Sequence, residues 1–129
     1  MDLPSKEKTF TFEHIGEDTG RKYEGQFTVR CVLNVGQKHA LALEKTRLQG
    51  SYTNPTDDLA GLAIILANLR AKIVEAPEWW KQSQGGATVE DESALVVLYR
   101  KVQEAEFEWK EELKAKSQAL PDQSQSSKQ

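Results

Sequence analysis

An alternating stretch early in the chain constrains the fold more than any other feature of the sequence. Between residues 23 and 33 every second residue is apolar or glycine, and the residues between them are mostly polar. The first set consists of Tyr23, Gly25, Phe27, Val29, Cys31 and Leu33. A period of two is typical of a β-strand with one buried face. Because a slip of one residue would bury the polar set, the register with a neighbouring strand should be well specified.

A second alternating stretch precedes it, at residues 9–15, where Phe10 and Phe12 share one face. The segment between the two stretches is polar and contains Gly16 and Gly20. Glycine adopts positive φ at little cost, so the chain can reverse direction there. The sequence therefore predicts an antiparallel β-hairpin. Since a lone hairpin is marginal in water, something must cover its apolar face.

Helical sequence follows the hairpin. Residues 34–49 are rich in good helix formers, and Gly50 then provides a C-terminal cap. The start of this helix is left open, because Val35 and Gly36 can also extend the preceding strand.

The next helix is predicted to form the core. Leucines and an isoleucine recur at steps of three and four over residues 59–73. Asn54 or Thr56 can cap its start. We expect it to end near Ala76, because Pro77 disfavours helical geometry in the residue before it.

A last helix is predicted from Thr88, where Asp91 completes a near capping box, to about Lys116. Val96, Tyr99 and Phe107 lie off its apolar stripe and either widen the buried face or stay exposed. The stripe consists of Leu95, Leu98, Val102, Ala105, Trp109 and Leu113.

These patterns predict a single α+β domain over residues 8–116. In it, an N-terminal antiparallel hairpin packs on about three α-helices, two of them long and antiparallel. Residues 1–7 are predicted to be a flexible N-terminus. Residues 117–129 form a Ser/Gln-rich tail that has too little apolar surface to offset the entropy of ordering, so we expect disorder.

Composition narrows the classes of function. Seventeen Lys and Arg against twenty Asp and Glu give a net charge of −3, so nothing indicates the basic face of a duplex-binding domain. No run approaches the ~18–20 apolar residues that span a bilayer. The first eight residues also lack the apolar stretch of a signal peptide. We therefore expect a cytoplasmic protein that binds neither nucleic acid nor membrane.

No residue pattern indicates catalysis, a metal or a cofactor. His14 and His39 do not have the spacing of metal ligands. Cys31 is the only cysteine and falls in the apolar register of a strand, where burial raises a thiol pKa. Gly85 and Gly86 lack the preceding strand of a dinucleotide-binding loop, so a hinge or linker is the better interpretation. The sequence predicts a protein that is not an enzyme.

Four carboxylates of the last helix, Glu104, Glu108, Glu111 and Glu112, share one face. Two carboxylates can perform acid–base chemistry only in a pocket that raises one of their pKa values. Lysines are interspersed here, so a solvated face is favoured. A docking surface for a basic segment is the open alternative.

Two adjacent tryptophans, Trp79 and Trp80, are the most informative pair for partner binding. On a turn they point in different directions, so one can anchor the core while the other reaches the surface; alternatively, both pack the long helices together. Tryptophan is enriched among interface hot spots. The predicted partner-binding residues are Trp79, Trp80, Tyr99, Phe107 and Trp109.

The region around this pair resembles small tail assembly chaperones of tailed bacteriophages, over about residues 27–109. The resemblance implies a non-enzymatic protein of the host cytoplasm that binds phage tail proteins, such as the tape measure protein, during virion assembly. A small structural component of the virion, in the head, connector or baseplate, is the alternative, and self-association is left open. The residues that carry the resemblance are Glu75-Ala76-Pro77-Glu78-Trp79-Trp80, Gly85-Gly86, Asp91-Glu92, Leu98-Tyr99 and Trp109.

Overall fold

A three-stranded antiparallel sheet and four helices make up the fold in the computed structural model, which describes residues 5–50 and 57–118. Residues 1–4 and 119–129, which include most of the predicted flexible N-terminus and Ser/Gln-rich tail, lie outside this description. In chain order the elements are β1 (Glu7–Ile15), β2 (Lys22–Arg30), α1 (Val35–Gly50), α2 (Asp57–Lys72), β3 (Ile73–Glu75), α3 (Glu78–Lys81) and α4 (Glu92–Gln118).

The predicted hairpin is confirmed. β1 pairs antiparallel with β2 in a register that places Phe10 opposite Phe27, and the connecting turn contains Gly20 at a φ of 75°. The alternation has its expected consequence, because Glu24 and Gln26 are exposed while the apolar set faces inward. The buried members of that set are Tyr23, Phe27, Val29, Cys31 and Leu33.

The third strand was not predicted. We expected the second helix to continue to about Ala76, which is wrong: α2 ends at Lys72, and β3 then pairs antiparallel with β2, with Thr28 opposite Glu75. The short strand supplies partners for backbone groups of β2 on the side away from β1. Ile73 fits the helical stripe and the strand equally well, so periodicity alone did not separate them.

The sequence analysis left the start of α1 open, and a reciprocal cap at Asn34 fixes it. The Asn34 side chain accepts a hydrogen bond from the Gln37 backbone N–H at 2.8 Å, and the Gln37 side chain accepts one from the Asn34 N–H at 2.9 Å. This capping box begins the helix at Val35. α1 packs on α2, and none of its described side chains is fully buried. The predicted caps of α2, Asn54 and Thr56, lie outside the described residues.

The long helix α4 begins at Glu92, not at Thr88 as predicted. The Thr88 backbone N–H donates to the carbonyl of Ser83, which keeps residues 82–88 in a turn. The predicted apolar stripe is nevertheless confirmed: Leu113 is half-buried and the other five members are buried.

Helix α4 packs on β1 and β2 and contacts α2, and residues of both helices share one core with the sheet, so the α+β class is confirmed. Lys72 at the end of α2 forms an ion pair with Glu106 of α4 at 2.7 Å. Across the part of the chain described, none of the helices combines the length and the apolar character that crossing a bilayer requires.

Candidate partner-binding surface

The tryptophan turn lies directly on β2, and Gly25 allows it to do so. A Cβ atom at Gly25 would lie 2.5 Å from Cβ of Pro77, so only glycine lets the proline ring approach the strand this closely. The φ of Gly25 is 145°, which side-chain-bearing residues rarely adopt. Pro77 then precedes the single turn α3, which carries both tryptophans.

Trp79 is half-buried against the sheet. Its ring makes edge contacts with Tyr23 and Phe27, at centroid distances of 5.0 and 5.7 Å. Its Nε1–H donates to the carbonyl of Glu24 at 3.0 Å. The side chain therefore has both its apolar body and its polar atom occupied within the molecule, and it offers a partner only a part of its ring.

Trp80 is only 7% exposed and anchors the core. Gly86 packs on it: a Cβ there would lie 3.2 Å from the tryptophan ring. The glycine segment, interpreted from the sequence as a hinge or linker, is held by hydrogen bonds, since the Gly85 carbonyl accepts from Arg70 and the Gly86 N–H donates to Ser83 Oγ, both at 2.9 Å.

The three predicted partner-binding residues on α4 differ in how exposed their side chains are. Trp109 is buried in the core and its Nε1 has no hydrogen-bond partner among the described residues. Tyr99 is half-buried and packs against the core. Phe107 is 65% exposed, which makes it the most exposed aromatic side chain described. The five predicted residues therefore do not form one surface.

Phe107 instead lies in a stripe on the outer face of α4. Val96, Arg100 and Gln103 precede it at steps of four, three and four residues, which place all four on one side of a helix. Val96 is 38% exposed. We call this region the Phe107 surface; it consists of Val96, Arg100, Gln103, Glu104, Phe107 and Glu108. The sequence analysis identified Val96 as lying off the buried stripe but missed Arg100 and Gln103, although their helical spacing was readable.

A buried carboxylate joins the hairpin to the start of α4. Asp91 is fully buried and accepts hydrogen bonds from the backbone N–H groups of Asp18 and Thr19, at 2.8 and 2.9 Å, and from the hydroxyls of Thr19 and Tyr23, both at 2.6 Å. The Thr19 and Tyr23 hydroxyls hold the pKa of Asp91 at about 2, although burial acts in the opposite direction. The arrangement stabilises the fold and leaves no lone pair facing a groove.

The side chains with catalytic potential do not come together in a catalytic arrangement within the described residues. His14 Nε2 lies 2.9 Å from Ser93 Oγ, but no acid is bonded to its other ring nitrogen within the described residues, as it would be in a hydrolase triad. His39 is exposed on α1. Burial raises the pKa of the Cys31 thiol to about 11, so the thiol is protonated at neutral pH.

Metal-ligating side chains are likewise dispersed: the described residues contain no group of three His, Cys, Asp or Glu placed to hold a metal ion. No model of a known protein family, no curated protein sequence and no solved protein structure matches this chain.

Proposed function

We propose that this protein is a non-enzymatic binding factor that captures phage tail proteins in the host cytoplasm during virion assembly. The residues that resemble tail assembly chaperones motivate the partner class, and the tape measure protein is its first candidate. The exposed ring of Phe107 is the single observation that carries the binding function.

The energetic argument starts from that ring. Burying a Phe side chain contributes about 1.5–3 kcal/mol, and Phe107 is 65% exposed in the free protein. The charged groups of Arg100, Glu104 and Glu108 surround it, which gives the apolar centre and polar rim of a protein interface. An aromatic residue in this setting stabilises a complex more than it stabilises the isolated domain.

Co-expression tests the proposal. A tagged form of the protein is expressed with the tape measure protein encoded in the same gene cluster, and the complex is isolated through the tag. Phe107→Ala should reduce the recovered tape measure protein at least about fivefold, because the loss of about 1 kcal/mol or more of binding free energy corresponds to that factor. Leu43→Ala is the matched control, since Leu43 is also exposed, at 57%, but lies on α1.

Two outcomes count against the proposal: equal recovery by the Phe107→Ala variant, or a gene that is not accompanied by tail-tube and tape-measure genes. Mass spectrometry of purified particles separates the chaperone from the virion component. A chaperone is absent from the finished particle, whereas a head, connector or baseplate component remains in it.

A further inference from the structure

A second candidate surface is formed by the outer edge of β1, and it borders the Phe107 surface at Glu104 and Glu108. This strand is the first in the sheet order β1-β2-β3, so one of its sides faces no other strand of the sheet. Two backbone hydrogen bonds at the ends of the hairpin fix which residues face β2: the Cys31 N–H donates to the Lys6 carbonyl, and the Gly16 N–H donates to the Arg21 carbonyl. Bonded pairs alternate along an antiparallel ladder, so the even-numbered residues of β1 bond to β2.

The odd-numbered residues therefore point their backbone groups outward. Thr9, Thr11 and Glu13 direct N–H and C=O away from β2, and no partner for these groups is recorded in the described part of the chain. The Glu7 N–H is capped by Ser5 Oγ at 3.2 Å. A nine-residue edge strand without proline is a template for an additional strand.

The flank of α4 next to this edge is acidic. α4 runs alongside β1, because His14 contacts Ser93 near one end and Lys8 forms an ion pair with Glu112 near the other. Glu108 lies one helical turn before Glu112, with Glu104 a turn earlier, and all three are exposed. Three cations lie near these carboxylates: Lys8 is paired with Glu112, Lys101 lies 3.9 Å from Glu104, and Arg100 lines the same surface as Glu104 and Glu108.

We propose that the outer edge of β1 binds an extended, basic segment of a partner protein as a fourth strand. Alternate side chains of such a strand point to the same face as Phe10, which is half-buried at the edge, and reach the flank of α4. Lysine or arginine at those positions meets Glu104 and Glu108. A second copy of this chain is the poorer occupant, because β1–β1 pairing brings two acidic flanks together. The inference stands without the tail-assembly role.

A short peptide tests the edge directly. The probe is a fluorescein-labelled nine-residue peptide of alternating valine and lysine, and binding to the full chain is followed by fluorescence anisotropy. The first control has the same charge but proline in place of each valine, so it lacks N–H groups that a strand needs. The second alternates valine and glutamate. We expect only the valine–lysine peptide to bind, and to bind more weakly as salt is raised.

Two variants locate the peptide. Thr11→Pro removes an outward N–H without breaking the β1–β2 ladder and should weaken binding at least about fivefold, the factor for one hydrogen bond of about 1 kcal/mol. Glu108→Lys should also weaken it. Phe107→Ala removes the ring but keeps Glu104 and Glu108, so it should bind the peptide as the natural chain does, which separates binding at this edge from binding through the Phe107 ring. Circular dichroism checks that each variant folds; if Thr11→Pro does not, Glu108→Lys and the salt dependence decide.

The proposal is overturned by any of four results: no binding at millimolar peptide, equal binding of the proline or glutamate peptide, unchanged affinity of a folded Thr11→Pro variant, or unchanged affinity of Glu108→Lys. Sedimentation supplies a further check. A dimer of the natural chain that the Thr11→Pro variant loses would show that a second copy occupies the edge, and would also overturn the proposal.

Discussion

Asp91 shows how much one side chain contributes to holding this molecule together. Replacing its carboxylate by the amide of Asn removes the charge and turns one of the two accepting oxygens into a donor, so the Thr19 and Tyr23 hydroxyls and the two backbone N–H groups can no longer all donate to it. We expect the Asp91→Asn variant to unfold at a temperature roughly 10 °C lower, since a buried network is broken. Thermal unfolding followed by circular dichroism measures this. The neighbouring exposed Glu90→Gln should leave the temperature unchanged, and an equal loss in both variants would contradict the role given to Asp91.

Trp80 belongs to the core, so its substitution should lower the stability of the fold. The sequence analysis placed Trp80 among the partner-binding residues, whereas the side chain is 7% exposed and packs against Phe27 and Gly86. Trp80→Ala should lower the free energy of unfolding by about 3–5 kcal/mol through the cavity it leaves. Urea denaturation measures the change. Phe107→Ala should cost less than about 0.5 kcal/mol, and a comparable loss there would contradict the surface position of that ring.

At the scale of elements, Gly25 determines where the tryptophan turn meets the sheet. Gly25→Ala places a methyl group 2.5 Å from Cβ of Pro77 at an unfavourable φ of 145°, so we expect a loss of about 2 kcal/mol or more in the free energy of unfolding. Gly61→Ala is the opposite case: nothing lies within 4 Å in the interior of α2, and stability should rise by about 0.5–1 kcal/mol. Urea denaturation of both variants measures the changes. A loss of stability in Gly25→Ala alone would show that the close approach to Pro77, and not alanine as such, causes it.

The elements differ in how well the sequence predicts them, for physical reasons. Strands and helices with one buried face repeat their apolar residues at a regular period, so β1, β2 and the stripe of α4 were readable. β3 was not, because three residues are too short for a period and Ile73 continues the stripe of α2. The start of α4 was misplaced because Asp91 was assigned to a capping box at Thr88, while its carboxylate bonds to residues about 70 positions earlier.

The candidate site was predicted only in part. Helical spacing identified Phe107 as a residue off the buried stripe, and the structure leaves it exposed. For the tryptophans, residue spacing could not predict burial, because a turn has no regular period. Their positions also depend on close packing at Gly25 and Gly86, two glycines with positive φ, and the sequence does not reveal those contacts. The free edge of β1 followed from the strand order, which needed β3 to be known.

Across the whole molecule, single polar side chains join separate elements of the fold. Arg70 of α2 pairs with Glu44 of α1 at 2.6 Å and also donates to the Gly85 carbonyl, so it links both helices to the glycine segment. Asp91 does the same for the hairpin and α4. Because α1 has no fully buried described side chain, its position depends strongly on such contacts.

These links predict how stability responds to acid. Hydrogen bonds from Arg47 and Arg70 lower the pKa of Glu44 from 4.5 to about 2, and Asp91 also has a pKa of about 2. A carboxyl whose pKa is lower in the folded state stabilises the fold fully above its unfolded pKa and loses that contribution as the pH falls towards 2. The unfolding temperature should therefore be steady from pH 7 to about 5 and fall below pH 4.5.

The double variant Glu44→Gln/Asp91→Asn isolates this contribution from that of the other carboxylates. At neutral pH the variant should unfold well below the natural chain, because both ionised acceptors are lost. As the pH falls towards 2, the natural carboxyls become neutral like the amides, so the gap between the two unfolding temperatures should narrow steadily below pH 4.5. Scanning calorimetry from pH 7 to pH 2.5 measures the gap. A gap that stays constant with pH would mean that these two charges do not hold the elements together.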